Sequence, residues 1–347
     1  MMIGHHNTAS RVFVIAEIGN NHEGSRALAE DLIGRAALAG VDAVKFQTIV
    51  PERLVARTDE RRLAQLRRFQ LSYDDFRHLA TVAQRAGVLF LSTPFDCESA
   101  AFLDALVPAY KVASGDLTFL PMIEVIAHTG KPVIFSTGAA TVDEIRVAVA
   151  HVQGAWAARG VSGDHALLHC VASYPVPPGQ ANLGAISTLR EQFPHSTIGY
   201  SDHTMGNDAA VAAVAIGARI VEKHFTLAHD YSDFRDHQLS ATPDEIRVLV
   251  ERIRAVELMM GSGVKVPQPC EEVGRSAFRR AVVAAEDLPE GIVLSAAHLT
   301  WVRPAGPFAP GQELGIIGKR LRRAVVAGTV LDPQCIEECM PERSLPV

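Results

Sequence analysis

Residues 197–225 read TIGYSDHTMGNDAAVAAVAIGARIVEKHF. The opening residues are apolar and β-favouring, 207–216 is a run of small apolar residues with helical spacing, and 220–225 is again apolar and β-branched, so the stretch predicts strand, helix, strand. Two parallel strands joined by a helix form the repeating unit of α/β folds. Both strands end in polar clusters, Ser201 to Thr204 and Glu222 with His224, which a strand buried on both faces has no structural need to carry.

The same alternation runs outward in both directions. Strands are expected at 12–18, 43–48, 89–93, 109–113, 133–136, 166–171, 197–201 and 220–225. Helices are expected at 26–39, 73–86, 98–106, 120–128, 142–158, 183–192, 207–216 and 243–260. Ser72, Thr141 and Thr242 stand before acidic first turns as N-caps, and Gly40, Gly87, Gly130, Gly160 and Gly217 follow helices where a left-handed residue turns the chain back. Eight βα units in about 250 residues predict a (β/α)8 TIM barrel over 1–261; a doubly wound open sheet shares the alternation, but the strand count favours the barrel. The segment 49–71 is too long for a plain βα loop and is expected to form a partial lid. After Gly261 a polar, Pro-bearing linker covers 262–275, and short apolar runs split by Pro and Gly predict a small, mostly β domain over 276–347.

Composition narrows the partners. With 347 residues, 48% of them hydrophobic, and a formal charge of −6, the chain can bury a large core and offers no basic field for a nucleic acid backbone. No run of about twenty apolar residues could span a bilayer, and MMIGHHNTAS lacks the apolar stretch of a signal sequence, so a cytoplasmic protein is expected. Five cysteines, an odd number, argue against a disulfide framework. Cys335 and Cys339 without further partners are weak evidence for zinc.

Nearly every expected strand ends in polar residues, at the rim where barrel enzymes build their sites. The rim carries Glu17; Lys45 and Gln47; Ser92 and Thr93; Lys111 with Ser114 and Asp116; Ser136 and Thr137; His169 and Tyr174; and the two clusters quoted above. One lysine at a strand end is usually a residue reaching for water. Lys45 and Lys111 share one rim, however, and a bound phosphate or carboxylate would neutralise both. A buried histidine is usually just hydrogen-bonded, yet His203 and His224 end adjacent strands and would converge on one side of the mouth. Asp202, Glu222 and Asp236 lie close enough in sequence to orient those rings or a metal's waters. Two imidazoles without a thiolate suit Mn²⁺ or Mg²⁺ with open positions better than a closed zinc site.

The motifs AEIGNNHEGS, VKFQT, STPFD, YKVASGD, STG, LLHCVASYP, GYSDHT and EKHFT, one per strand, resemble the sialic acid (nonulosonate) synthases. RRAVVAAEDLPEGIVLSAAHLTWVRP resembles that family's C-terminal SAF domain, which is similar to type III antifreeze protein. The resemblance implies a metal-dependent synthase that joins phosphoenolpyruvate to an open-chain amino sugar. It implies that His203 and His224 hold the divalent metal. Lys45, Gln47, Thr93, Lys111, Ser114 and Ser136 would bind phosphoenolpyruvate, with Glu17 as acid/base and Asp116 in the place of a family glutamate. Phe95, Tyr174 and Asp236 are expected on the substrate side. The family works as a domain-swapped homodimer, in which an arginine matched here by Arg303 touches the sugar's acyl group. Two positions depart from the pattern: Ala172 stands where many members have Asn, and Phe234-Arg235 where many have Gly-Pro. The sugar therefore need not be N-acetylmannosamine; precursors of legionaminic or pseudaminic acid remain open. Two other readings compete: a Schiff-base pyruvate aldolase using Lys45 or Lys111 as the amine, and a non-catalytic carbohydrate- or ice-binding protein.

Overall fold

A computed structural model describes residues 1–337. The end of the expected second domain, 338–347, lies outside the described residues, and Cys339 with it. Eight parallel strands form one sheet: β1 (Phe13–Gly19), β2 (Ala43–Thr48), β3 (Leu89–Pro94), β4 (Tyr110–Val112), β5 (Val133–Ser136), β6 (His165–Cys170), β7 (Thr197–Asp202) and β8 (Ile220–His224). Their order is β3-β2-β1-β8-β7-β6-β5-β4, and the two end strands pack against each other, which closes the barrel. All eight expected strands are present, with bounds moved by at most one residue.

The helices are α1 (Arg26–Leu38), α2 (Pro51–Leu54), α3 (Glu60–Phe69), α4 (Tyr73–Arg85), α5 (Cys97–Leu103), α6 (Leu120–Ala127), α7 (Val142–Ala158), α8 (Ala185–Gln192), α9 (Asp208–Ala215), α10 (Arg235–Leu239), α11 (Pro243–Met260) and α12 (Glu272–Phe278). Capping boxes open α4 with Ser72 and Asp75, α7 with Thr141 and Glu144, and α11 with Thr242 and Glu245. Each satisfies backbone donors that would otherwise be orphaned and contributes about 1 kcal/mol. The long 49–71 segment is not structureless: it folds into α2 and α3, with Asp59 accepting from the Arg62 backbone N–H as an N-cap. Its Leu63, Leu66 and Phe69 are buried, so the segment packs down by its apolar stripe.

Side chains alternate along each strand, and the alternation sorts the barrel. Outward residues such as Val14, Ala16, Val44 and Val221 join the apolar layer between strands and helices. Inward residues begin apolar and end polar. On β1 the series is Phe13, Ile15, Glu17; on β2, Ala43, Lys45, Gln47; on β6, Ala166, Leu168, Cys170; on β8, Ile220, Glu222, His224. The lower layers fill the interior tightly: a Cβ at Gly199 would sit 2.5 Å from both the Ile220 carbonyl oxygen and Leu168 Cδ2. An N-terminal hairpin, Met2–Ile3 against His6–Asn7, places Ile3 in this inner cluster with no exposed surface, which floors the barrel.

The chain divides into two compact units, the first spanning Met1–Ser262 and the second beginning at Gly263. The second has its own apolar core, including Val282, Leu288, Leu321 and Leu331. It holds one antiparallel pair, β9 (Ala281–Ala284) with β10 (Leu299–Val302), and isolated bridges such as Val283 to Val330. Cys335 is buried there, and Arg323 donates to its Sγ.

Candidate active site

The polar ends of the inward series line a cavity of about 310 Å³ at the C-terminal mouth of the barrel. Glu17, Lys45, Gln47, Thr93, Phe95, Lys111, Ser114, Ser136, Tyr174, His203, His224 and Asp236 all line it. Asp116 does not: Ser114 and Gly115 of its 3-10 turn face the cavity, and Glu222 is the second carboxylate at the cavity's base. Burial pushes the Asp116 carboxyl up to about 6 against the pull of Lys111. Arg303 belongs to the second unit and is exposed.

At the base, Lys45 is 3% exposed and lies 2.8 Å from Glu17 and 3.5 Å from Glu222. It also donates to Thr93 Oγ1 at 3.2 Å. Gln47 donates to Glu17 Oε1 at 3.0 Å and accepts from Asn20 at 3.0 Å, which fixes the glutamate's orientation. Burial raises the Glu17 pKa, with Lys45 opposing and Glu222 adding to the rise. Glu222 goes the other way, because Lys111 and Lys45 outweigh its burial. Two carboxylates in one site are thus driven apart, the arrangement in which one holds a proton while the other stays charged. Across the floor Lys111 donates to Ser136 Oγ at 2.7 Å and to the Val112 carbonyl at 3.0 Å. Burial lowers its pKa.

On the opposite wall the His203 and His224 rings have centroids 5.3 Å apart, with Tyr174 packed 4.2 Å from His203. His203 Nδ1 donates to the Val171 carbonyl at 2.9 Å, which leaves Nε2 with its lone pair. His224 Nδ1 is buried and has no hydrogen-bond partner, and burial together with His203 holds the ring neutral, well below its ordinary pKa. No group of three or more His, Cys, Asp or Glu among the described residues is gathered as a metal cage. Against its burial, contacts with Cys170 and the Val171 carbonyl raise the His203 pKa; once His203 gives up its proton, its Nε2 and the unpartnered nitrogen of the neutral His224 fit an ion that takes its other ligands from substrate and water.

The mouth is framed by two loops and tied at one point. Phe69 of α3 meets Phe234 edge to face at 4.8 Å. Glu23, in the β1–α1 loop, binds Arg68 at 2.6 Å, His237 at 3.1 Å and the Ser232 hydroxyl, so one side chain joins the lid to the β8–α10 loop.

Several polar residues expected at the rim are not part of this cavity. Asp202 accepts from Lys223, Tyr200 and Thr204 on the outward face, so it orients neither imidazole. His169 bonds the Ala181 carbonyl and lines a separate groove against α7 and α8, and Ser92 pairs with Thr48. Cys170, Ser201, Asn20 and Arg62 line the cavity without having been singled out as ligands. Ser201 is in the expected rim cluster, and strand alternation counted from Leu168 identifies Cys170.

The NeuB family matches over residues 32–265 and the SAF domain over residues 279–337. N,N'-diacetyllegionaminic acid synthase of Legionella pneumophila is 37% identical over 92% of this chain and 93% of its own length. Human N-acetylneuraminate-9-phosphate synthase is 33% identical over 89% and 88%. The crystal structure of an N-acetylneuraminic acid (sialic acid) synthetase from Leptospira borgpetersenii serovar Hardjo-bovis, in complex with citrate, matches with TM-score 0.74 at 33% identity over 79% of this chain and 94% of that one. With the fold, the inward polar layer and the second domain in agreement, the chain belongs to the NeuB family and carries a C-terminal SAF domain.

Proposed function

We propose that this enzyme condenses phosphoenolpyruvate with the aldehyde of an open-chain amino sugar of the N-acetylmannosamine type, giving a nonulosonic acid and phosphate. The observation that carries the reading is that Lys45, Lys111, His203 and His224 line one cavity together with a carboxyl of raised pKa. The activities named for the relatives support the same reaction class.

In this mechanism Lys45 and Lys111 bind the phosphate and carboxylate of phosphoenolpyruvate, with Ser136, Ser114, Thr93 and Gln47 as further polar contacts. C3 attacks the aldehyde carbon, a C–C bond forms, the aldehyde oxygen takes a proton and C2 is left cationic. Water then adds to C2 and loses a proton, and the hemiketal collapses to a ketone as the bond to phosphate breaks; its hydroxyl proton leaves with the phosphate. Glu17 is suited to supply the first of these protons and take back the second, because burial raises its pKa toward the working range. Gln47 keeps its carboxyl aimed throughout. A divalent ion, Mn²⁺ or Mg²⁺, held by His203 and His224 would supply Lewis-acid polarisation of the aldehyde oxygen, worth several kcal/mol.

Chelation should abolish phosphate release and Mn²⁺ or Mg²⁺ should restore it, while His203→Ala loses metal binding in calorimetry and keeps its far-UV circular dichroism. Full-rate phosphate release by chelated enzyme would refute the metal's role. The Schiff-base reading gains one observation, the lowered pKa of Lys111. Borohydride with pyruvate decides it: mass spectrometry should find no adduct, since the Lys111 ammonium is committed to Ser136 and the Val112 carbonyl. For the SAF domain we propose a swapped homodimer in which Arg303 contacts the sugar's acyl group in the other subunit's barrel. Light scattering should give twice the subunit mass.

A further inference from the structure

The cavity has a second cationic end. Arg62 on α3 and Arg235 at the start of α10 both line it. Of the three lining carboxylates, Glu17 and Glu222 are gathered around Lys45, which leaves Asp236 to face both guanidiniums. Burial pushes the Asp236 carboxyl up, against the pull of Arg235, His203 and Arg62, so even this counter-charge is weakened. Its Oδ1 is buried and has no hydrogen-bond partner. Among the described residues Arg235 has one ion pair, with Asp236 at 3.6 Å, and its Cζ lies 5.1 Å over the Tyr174 ring. Arg62 donates to Gln65 and has no ion pair among the described residues.

The elements carrying these two arginines are held together by the Phe69–Phe234 contact and by Glu23, so the cations belong to a built wall. Their place relative to the chemistry is also fixed. Tyr174 packs 4.2 Å from His203, and Arg235 Cζ lies 5.1 Å from the same ring.

We infer that the aldose carries an anionic group, a phosphate ester or a carboxylate, at the end remote from its aldehyde, and that Arg235 with Arg62 binds it. The inference rests on the condensation reading above and adds the class of sugar. Guanidinium groups match either oxyanion in bidentate fashion.

The test compares three aldoses with phosphoenolpyruvate and Mn²⁺: N-acetylmannosamine, its 6-phosphate and its 6-carboxylate. Product is read by mass spectrometry and kcat/KM by phosphoenolpyruvate consumption. The wild-type chain should favour one of the charged aldoses over the neutral one by roughly tenfold to a hundredfold, the scale of one lost charge-assisted hydrogen bond. Arg235→Gln should collapse that ratio chiefly through KM, and Arg62→Gln, on a different helix, should reduce it in the same direction. The phosphate and carboxylate arms separate the two sources of charge. Turnover of the neutral aldose with equal or better kcat/KM, or a ratio unmoved in both variants, overturns the inference. No turnover of any aldose is a different failure, since it overturns the condensation reading itself.

Discussion

Lys45 and Lys223 sit on adjacent parts of the same barrel, and both are buried, at 3% and 1% exposure, with a carboxylate 2.8 Å away. Lys223 points outward into the strand–helix layer. It donates to Asp202 and to the Thr204 carbonyl, and Asp202 also accepts from the Tyr200 hydroxyl and from the Thr204 amide and hydroxyl. That network is complete. Lys45 points inward, and around it the network stays open: Glu222 Oε2 and His224 Nδ1 are buried atoms without hydrogen-bond partners on the cavity wall, and Asp236 Oδ1 has only the ion pair with Arg235. A closed polar network rigidifies a fold, whereas a group of buried, unpartnered atoms is tolerated where a ligand completes it. The two lysines therefore differ in purpose although their burial and pairing are alike.

Substitution should separate them. Lys45→Met is expected to cost roughly a thousandfold in kcat/KM, about 4 kcal/mol of transition-state stabilisation, with a small shift in melting temperature. Lys223→Met should do the reverse, destabilising the fold by about 3–5 kcal/mol in urea titrations because Asp202 is left as a buried charge without its counter-ion, while turnover per folded molecule is largely kept. If Lys223→Met proved the more damaging to catalysis, the distinction would fail.

His22 tests the limit of the rule, since its Nε2 is buried and unpartnered but does not line the cavity. Burial lowers its pKa to about 4 from an ordinary 6.5. The folded chain thus binds fewer protons than the unfolded one between those values, so its stability is full above pH 6.5 and falls as pH drops toward 4. The expected loss is roughly 3 kcal/mol over that window. His22→Gln should flatten this limb of the stability profile, measured by urea unfolding at pH 7, 5.5 and 4, and an unchanged slope would show that another group carries it.

The barrel was legible because eight strands and eight helices repeat two periodicities that need no tertiary information. The cavity was half legible. Rim polarity picked out Glu17, Lys45, Lys111, His203 and His224, but it also swept in Asp202, His169 and Ser92, which have strand-end positions and outward parity. A strand end names a height in the barrel, and only the count back to an inward apolar residue names a face. Applied to β6, that count starts from Leu168 and reaches Cys170, passing over His169. The mouth was least legible. Glu23, Arg68, Ser232 and His237 meet across three loops, and nothing in their local spacing announces it.

The floor made by Ile3 has a kinetic corollary. A chamber shut at the bottom is entered and left by one door, and the places against Lys45 and Lys111 are the farthest from it, while Arg235 stands exposed at the threshold. For the condensation proposed above, occupancy would follow a queue: the molecule bound deepest arrives before the one bound near the door, and whatever is released at the back waits until the front has cleared.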